Sequence, residues 1–219
     1  MQNSDCHERF IQQPDGDIYL FFTGYSTFSN FYRLPFLIDG RLYQTVEQYY
    51  QSRKAWYFND NDAYKKILEF WAPSRCKELA KDIKGFDKAE WRKAAEDVML
   101  TALRAKFGQN KAARDKLVST GSATLAEASK YDKFFGIGMA INEDGVEDRR
   151  NWKGRNVHGE NLMKIRDELK KVKMEFEISK DYAADANQMR CVEATVGAME
   201  NDLIDGSNVK HFLVAHFPD

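Results

Sequence analysis

Cysteine is scarce: Cys6, Cys76 and Cys191 are the only three in 219 residues. Their odd number, wide separation and lack of a Cys-x-x-Cys pair exclude a disulfide framework and a zinc ribbon, and fit free thiols in a reducing compartment. Histidine is almost as thin. His7, His158, His211 and His216 show neither HxxxH nor HExxH spacing, so no metal site is expected, and no cofactor motif appears. No apolar run approaches a membrane span, so no membrane association is expected. The opening residues Met1 to Arg9 are polar and lack the apolar core of a secretory signal. These absences lead us to expect an intracellular protein, in the cytoplasm or alternatively the nucleus. An excess of one charge is missing too: 33 basic against 34 acidic side chains leave a formal net charge of −1. That argues against a nonspecific duplex-DNA binder, but not against an enzyme that reads one modified nucleotide.

What is present is an ordinary globular composition, 43% hydrophobic and 31% charged, long enough for one domain with a real core. Residues 1–17 read as a loose, polar N-terminus. Ile18 to Phe22 reads as a buried strand, and Leu34 to Thr45 as a hairpin turning at Asp39-Gly40. Thr45-Val-Glu-Gln48 has capping-box form, which predicts a helix from Val46 to about Phe58. Tyr64, Ile67, Leu68 and Trp71 recur at helical spacing up to Pro73, and a third helix is expected over Ser74 to Ile83. Asp87-x-x-Glu90 opens a long helix with Trp91, Ala95, Val98, Ala102 and Leu103 on one stripe. Further helices are expected over Lys111 to Val118 and Glu160 to about Lys171. Leu125 and Phe134 to Ala140 are candidate short strands. Met174 to Ile178 and His211 to Phe217 read as strands flanking a helix over Ala183 to Met199, in a C-terminal extension covering residues 172–219. The class is α+β: helix-rich, with a small, mostly antiparallel sheet.

Four constellations could carry chemistry. Glu47, Tyr50, Gln51 and Lys54 lie at i, i+3, i+4 and i+7, on one face of the first helix. Facing solvent, this is an ordinary charged surface. Facing a cleft, it supplies a carboxylate for proton transfer and an amine that becomes nucleophilic if burial, or a cation such as Arg53, lowers its pKa. Phe28-Ser29-Asn30-Phe31 is either a plain turn or a ligand-binding loop anchored by its rings. Asp132-Lys-Phe-Phe-Gly-Ile-Gly138 lacks the third glycine of a dinucleotide fingerprint, so its glycines serve close backbone approach to a ligand or another segment. Trp152-Lys-Gly154-Arg-Asn156-Val-His-Gly159 precedes a helix whose N-terminus could receive phosphate, with Lys153 and Arg155 adding charge. Trp152 either stacks on a base or packs in the core.

In order and separation these segments resemble the NADAR/YbiA-like family over roughly residues 18–171. The matching motifs are Phe28-Ser29-Asn30-Phe31, Glu47-x-Tyr-Tyr-Gln51-x-x-Lys54, Asp132-x-x-Phe135-Gly136-x-Gly138 and Gly154-x-Asn156-x-x-Gly159-x-x-Leu162-Met163-x-Ile165-Arg166. The family usually has tryptophan where Phe135 stands. The resemblance implies a YbiA-like fold and hydrolysis of N-glycosidic bonds without metal or cofactor. Its implied substrates are ADP-ribose on guanine, in nucleotides or modified single-stranded DNA or RNA, or phosphorylated riboflavin-biosynthesis intermediates. A non-catalytic ADP-ribose-binding module is the alternative of another class. The resemblance further implies that Lys54 attacks the sugar carbon and Glu47 assists proton transfer. Ser29, Asn30, Phe31, Gln51, Asp132, Phe135, Gly136, Gly138, Trp152 and Asn156 would then surround the substrate.

Overall fold

The computed structural model describes residues 7–182, with side chains through residue 172. Elements run β1 (Glu8–Ile11), β2 (Ile18–Phe21), β3 (Phe36–Ile38), β4 (Arg41–Tyr43), α1 (Val46–Tyr57), α2 (Asn61–Glu69), α3 (Pro73–Leu79), α4 (Lys88–Gln109), α5 (Lys111–Ser119), β5 (Thr124–Glu127) and α6 (Val157–Tyr182). The class is α+β and helix-rich, as the periodicities predict. Local chemistry explains several boundaries. Thr45 caps α1 by accepting from the Gln48 amide, and Asp87 caps α4 by accepting from the Glu90 amide. Asp39 and Gly40 both take positive φ, 52° and 72°, the geometry of a two-residue hairpin turn between β3 and β4.

Several expectations need correction or refinement. The N-terminal segment is not loose throughout: Glu8–Ile11 pairs antiparallel with β2 as an edge strand. Its pattern of polar and half-buried residues hides a strand whose outer side is solvated. Two of the three strand pairings among the described residues are antiparallel, as expected, but the main sheet is mixed. Its order is β1-β2-β5, and β2 pairs with β5 in parallel, a crossover that no local pattern announces. Phe134 to Ala140 forms no strand, and Met174 to Ile178 lies within α6, which continues unbroken past residue 171. Its five residues Met-Glu-Phe-Glu-Ile alternate like a strand, but a helix already propagating extends more cheaply than a new strand nucleates. The helix expected over Ala183 to Met199 and the strand over His211 to Phe217 lie outside the described residues.

The largest core joins Phe21 and Phe28, the hairpin residues Phe36 and Tyr43, Val46, Tyr49 and Tyr50 of α1, and Leu162 and Ile165 of α6 around α4. In α4 the buried residues include Trp91, Ala95, Met99, Ala102, Leu103 and Phe107, while Val98 of the predicted stripe is half-buried. A second core beneath the sheet gathers Ile18, Leu20, Ala126, Ile137, Met139 and Val146. Helix α1 lies against α2, α3 and α4 and buries residues 46–52 all round. Its polar face is therefore turned inward, not to solvent.

Candidate active site

Glu47 is 6% exposed and accepts from the Gln51 Nε2 amide at 2.7 Å across one helical turn. Burial raises its pKa, against the bond from Gln51 and the charges of Lys77 and Lys54. Lys54, two turns from Glu47, is half-buried and sits 5.0 Å over the ring of Phe86. Burial lowers its amine to about 8; Glu47 pulls the other way and Lys77 reinforces the drop. A substantial neutral fraction near physiological pH makes it a usable nucleophile. Arg53, expected as the neighbouring cation, stacks instead on Trp56 at 4.1 Å. Lys77 of α3 takes that role.

The Phe28–Phe31 loop is fastened at three successive carbonyls by three helices. His158 Nε2 of α6 donates to Phe28 O at 2.8 Å, which fixes the neutral tautomer with its proton on Nε2. Lys106 Nζ of α4 donates to Ser29 O at 2.9 Å, and the Glu47 amide of α1 donates to Asn30 O at 3.1 Å. Ser29 Oγ accepts from the Phe31 amide, and Phe31 itself lies 5.8 Å from Lys77 Nζ. The result is a rigid edge beside Glu47. Among the described residues, Asn30 Oδ1 and Gln51 Oε1 are buried there with no hydrogen-bond partner. Such orphaned acceptors are costly unless something donates to them, so a ligand hydroxyl or amide is well received at this point.

The Asp132–Gly138 segment forms the facing wall. Asp132 Oδ1 accepts from the Phe134 and Phe135 amides at 2.9 and 2.8 Å, which closes a tight turn. Its negative charge acts on Glu47 and Tyr50. Phe135 meets Tyr50 edge-on at 5.6 Å, and Tyr50 accepts from the Trp91 indole at 2.7 Å. Phe135, Tyr50 and Trp91 thus form an aromatic flank beside Glu47 and Lys54. Gly136 and Gly138 serve contact with the 152–156 segment. Gly136 O accepts from the Asn156 amide, and a Cβ on Gly154 would lie 2.3 Å from Gly136 O.

Two expected substrate contacts are used elsewhere. Asn156 Oδ1 accepts from the Glu127 amide at 3.1 Å and its Nδ2 donates to Leu125 O at 2.8 Å, so the side chain clips β5 to the start of α6. Trp152 packs against the second core and its indole donates to Val146 O at 2.9 Å. The start of α6 is not an open phosphate site either. Its first amides, Val157 and His158, donate to Phe134 O and Phe135 O, and Lys153 pairs with Glu143 at 2.7 Å.

Sequence reasoning missed Glu127 at the end of β5. Burial pushes its carboxyl up to about 8, reinforced by the charges of Asp132 and Glu47, and among the described residues its buried Oε2 has no partner. Only the parallel β2–β5 pairing and the Asn156 clip bring this residue to Glu47 and Asp132, so no local motif betrays it. Among the described residues, no group of three His, Cys, Asp or Glu side chains is arranged to hold a metal ion. The site offers a partly neutral amine, a protonated acid, a second buried carboxylate and an aromatic flank. That set suits cleavage at an electrophilic carbon whose leaving group needs a proton.

Comparison with known proteins agrees with this chemistry. The NADAR domain model matches residues 18–170. The N-glycosidase R617 of Acanthamoeba polyphaga mimivirus is 36% identical over 126 residues, covering 58% of this chain and 74% of that protein. The N-glycosidase YbiA of Escherichia coli is 32% identical over 145 residues, covering 66% and 82%. The NMR structure of E. coli YbiA superposes with a TM-score of 0.61 at 31% identity, covering 72% of this chain and 88% of that one. Part of the maize riboflavin biosynthesis protein PYRR, 19% of its length, is 32% identical to 57% of this chain. Fold and site together define an enzyme of the N-glycosidase class. The chain belongs to the NADAR family, over a stretch that contains every site residue described above.

Proposed function

We propose that this N-glycosidase removes ADP-ribose from guanine bases, with Lys54 as nucleophile. The observation that carries the reading is the amine of Lys54, held at a pKa of about 8 on the same helix face as buried Glu47. Neutral Lys54 Nζ gives its lone pair to the anomeric carbon of the ribose. The bond from that carbon to the base nitrogen breaks, and the pair leaves on nitrogen. Glu127, neutral below about pH 8, supplies the proton that the leaving nitrogen takes. The sugar now bound to Lys54 opens its ring to an imine, the nitrogen proton passing to the ring oxygen. Water adds to the imine carbon as Glu47 takes its proton. Glu47 passes a proton to the amine nitrogen, the carbon–nitrogen bond breaks with its pair going to Lys54, and the hydroxyl proton returns to Glu47 as ADP-ribose is freed. Solvent then restores the protonation of the two acids. Asn30 and Gln51 offer their open acceptors to the sugar hydroxyls, and Phe135 and Tyr50 offer apolar surface to the flat base.

The test is direct. Purified full-length protein is incubated with an oligonucleotide bearing ADP-ribosyl guanine, and release of ADP-ribose is followed by mass spectrometry. Release is expected, with loss in Lys54→Ala and Glu47→Ala. Tight binding of ADP-ribose without release in any substrate would instead identify a binding module. A second reading, cleavage of phosphorylated riboflavin intermediates, draws support from the similarity to the maize riboflavin biosynthesis protein. Turnover of those intermediates with none of the ADP-ribosylated base would favour it.

A further inference from the structure

Phe134 carries two cations from two different elements. Arg92 of α4 places its guanidinium carbon 5.6 Å from the ring centroid, and Arg155, just ahead of α6, places its own at 5.1 Å. Both arginines are exposed, and among the described residues neither side chain has an acidic partner or a hydrogen bond. The platform beneath them is rigid. Phe134 donates its amide to Asp132 Oδ1, its carbonyl accepts from the Val157 amide, and Arg155 donates its own amide to Lys133 O at 2.9 Å. It also adjoins the candidate active site: Phe134 meets Phe135 edge-on at 4.9 Å, and Phe135 meets Tyr50, which stands between Glu47 and Lys54 on α1. A guanidinium resting on a ring keeps its N–H edge free and loses little further freedom when it binds. Two such forks on one ring match the oxygens of two neighbouring backbone phosphates, which guanidinium pairs in charge-assisted, bidentate fashion. Because both are exposed, they meet what continues beyond the buried groups of the site rather than what those groups hold.

We propose that Arg92 and Arg155, seated on Phe134, form a subsite for the phosphodiester backbone of a single-stranded nucleic acid that carries the modified base. The inference rests on the reading of the substrate given above and sharpens it: the subsite selects a base in a strand over the same base as a free nucleotide. The contact is local, which reconciles strand binding with a formal net charge of −1. It positions the strand and takes no part in the bond-breaking steps.

Two measurements test it. Binding of fluorescein-labelled, unmodified oligothymidylate to the full chain is followed by anisotropy across a salt series. Arg92→Ala/Arg155→Ala should bind roughly tenfold more weakly at low salt, and the slope of log K against log salt should fall by about 1.4, two single-strand phosphate contacts. Unmeasurable binding by the native protein, or the same affinity and slope in the variant, overturns the subsite whatever the enzyme's substrate. Turnover is then compared on ADP-ribosyl guanine in an oligonucleotide and as the free nucleotide. The double variant should raise KM on the oligonucleotide, leave kcat there unchanged, and leave both constants unchanged on the nucleotide. Equal losses on both substrates would mean that the arginines bind the diphosphate of ADP-ribose, and would overturn the strand subsite. If neither substrate turns over, the functional reading fails while the anisotropy series still decides the subsite.

Discussion

Helices α1 and α4 each carry a lysine into the interior, and the two amines have opposite surroundings. Lys54 on α1 is half-buried, lies over Phe86, feels the carboxylate of Glu47, and among the described residues has no hydrogen-bond partner. Lys106 on α4 is fully buried, donates to Ser29 O, and among the described residues feels no carboxylate, so burial takes its pKa down to about 7. By depressed pKa alone, Lys106 would be the better nucleophile. It is also sealed from any substrate and tied to a backbone oxygen. A lowered pKa therefore marks a reactive amine only when the nitrogen has a free lone pair and an open approach. Lys106 is a positioning residue: it ties the Phe28–Phe31 loop to α4, while the Glu47 amide ties it to α1. In the proposed mechanism Lys54, part-exposed and without a bond to backbone, is the residue that reacts.

Substitutions separate the two most sharply. Lys54→Ala should lower turnover by about a thousandfold or more with little change in melting temperature, because its side chain is part-exposed and bonds nothing. Lys106→Met should do the reverse: it keeps the volume, leaves Ser29 O unpaired, and should hold turnover within about tenfold of native. Equal losses of turnover in the two variants, with both folded by circular dichroism, would erase the distinction. A smaller effect is expected at Glu127. Its replacement by glutamine should cost about a hundredfold in kcat, the scale of a general acid. The pH profile sharpens this. Activity should rise as Lys54 loses its proton near 8 and fall as Glu127 loses its own near 8, giving a narrow bell whose limbs belong to the interacting set. In Glu127→Gln the alkaline fall should vanish while the acid rise remains. An unchanged bell would remove Glu127 from the mechanism.

The difference in stability between native protein and a Lys106 variant, followed against pH, isolates Lys106. Its folded pKa of about 7 lies below its ordinary 10.5. Between these values the unfolded chain keeps a proton that the folded chain has released, so this residue's contribution to stability rises with pH across that window. The cost of burying it is full below pH 7. Lys54 adds in the same direction above pH 8. Glu127 opposes between 4.5 and 8, where the folded chain holds the extra proton. Denaturant titrations of native protein and Lys106→Met should therefore diverge in slope from pH 7 to 10, with the native protein gaining stability relative to the variant as pH rises. Parallel curves would mean that Lys106 stays charged in the folded state. The smallest effect is expected at Trp152. Phenylalanine there forfeits the bond to Val146 O, worth about 1 kcal/mol, and should leave KM unchanged. A tenfold rise in KM would return the indole to the substrate.

Much of this was legible in the sequence, for reasons that differ by element. Helices α1 and α4 begin where Thr45 and Asp87 cap them, and the β3–β4 hairpin turns at Asp39-Gly40, because those signals act within four residues. The face holding Glu47, Gln51 and Lys54 follows from helical spacing, whereas its burial does not; four ordered motifs suggested it, and packing of α1 among α2, α3 and α4 realises it. The parallel β2–β5 pairing joins residues about a hundred positions apart, so the pairing itself, and with it Glu127, left no local trace. The same holds for Lys106, which reads as one more cation on an amphipathic helix until the fold sets it under Ser29 O. Asn156 was legible as important and misread in role: its left-handed φ of 57° and its two bonds to β5 make it a clip.

Reductive trapping probes the reactive amine itself. The full chain is mixed with an oligonucleotide bearing ADP-ribosyl guanine in the presence of cyanoborohydride, digested, and mapped by mass spectrometry. The account predicts a reduced ADP-ribose adduct on the peptide containing Lys54, lost in Lys54→Arg and accompanied by release of the base. Full turnover with no adduct, or an adduct on Lys77 with Lys54 unmodified, would contradict it.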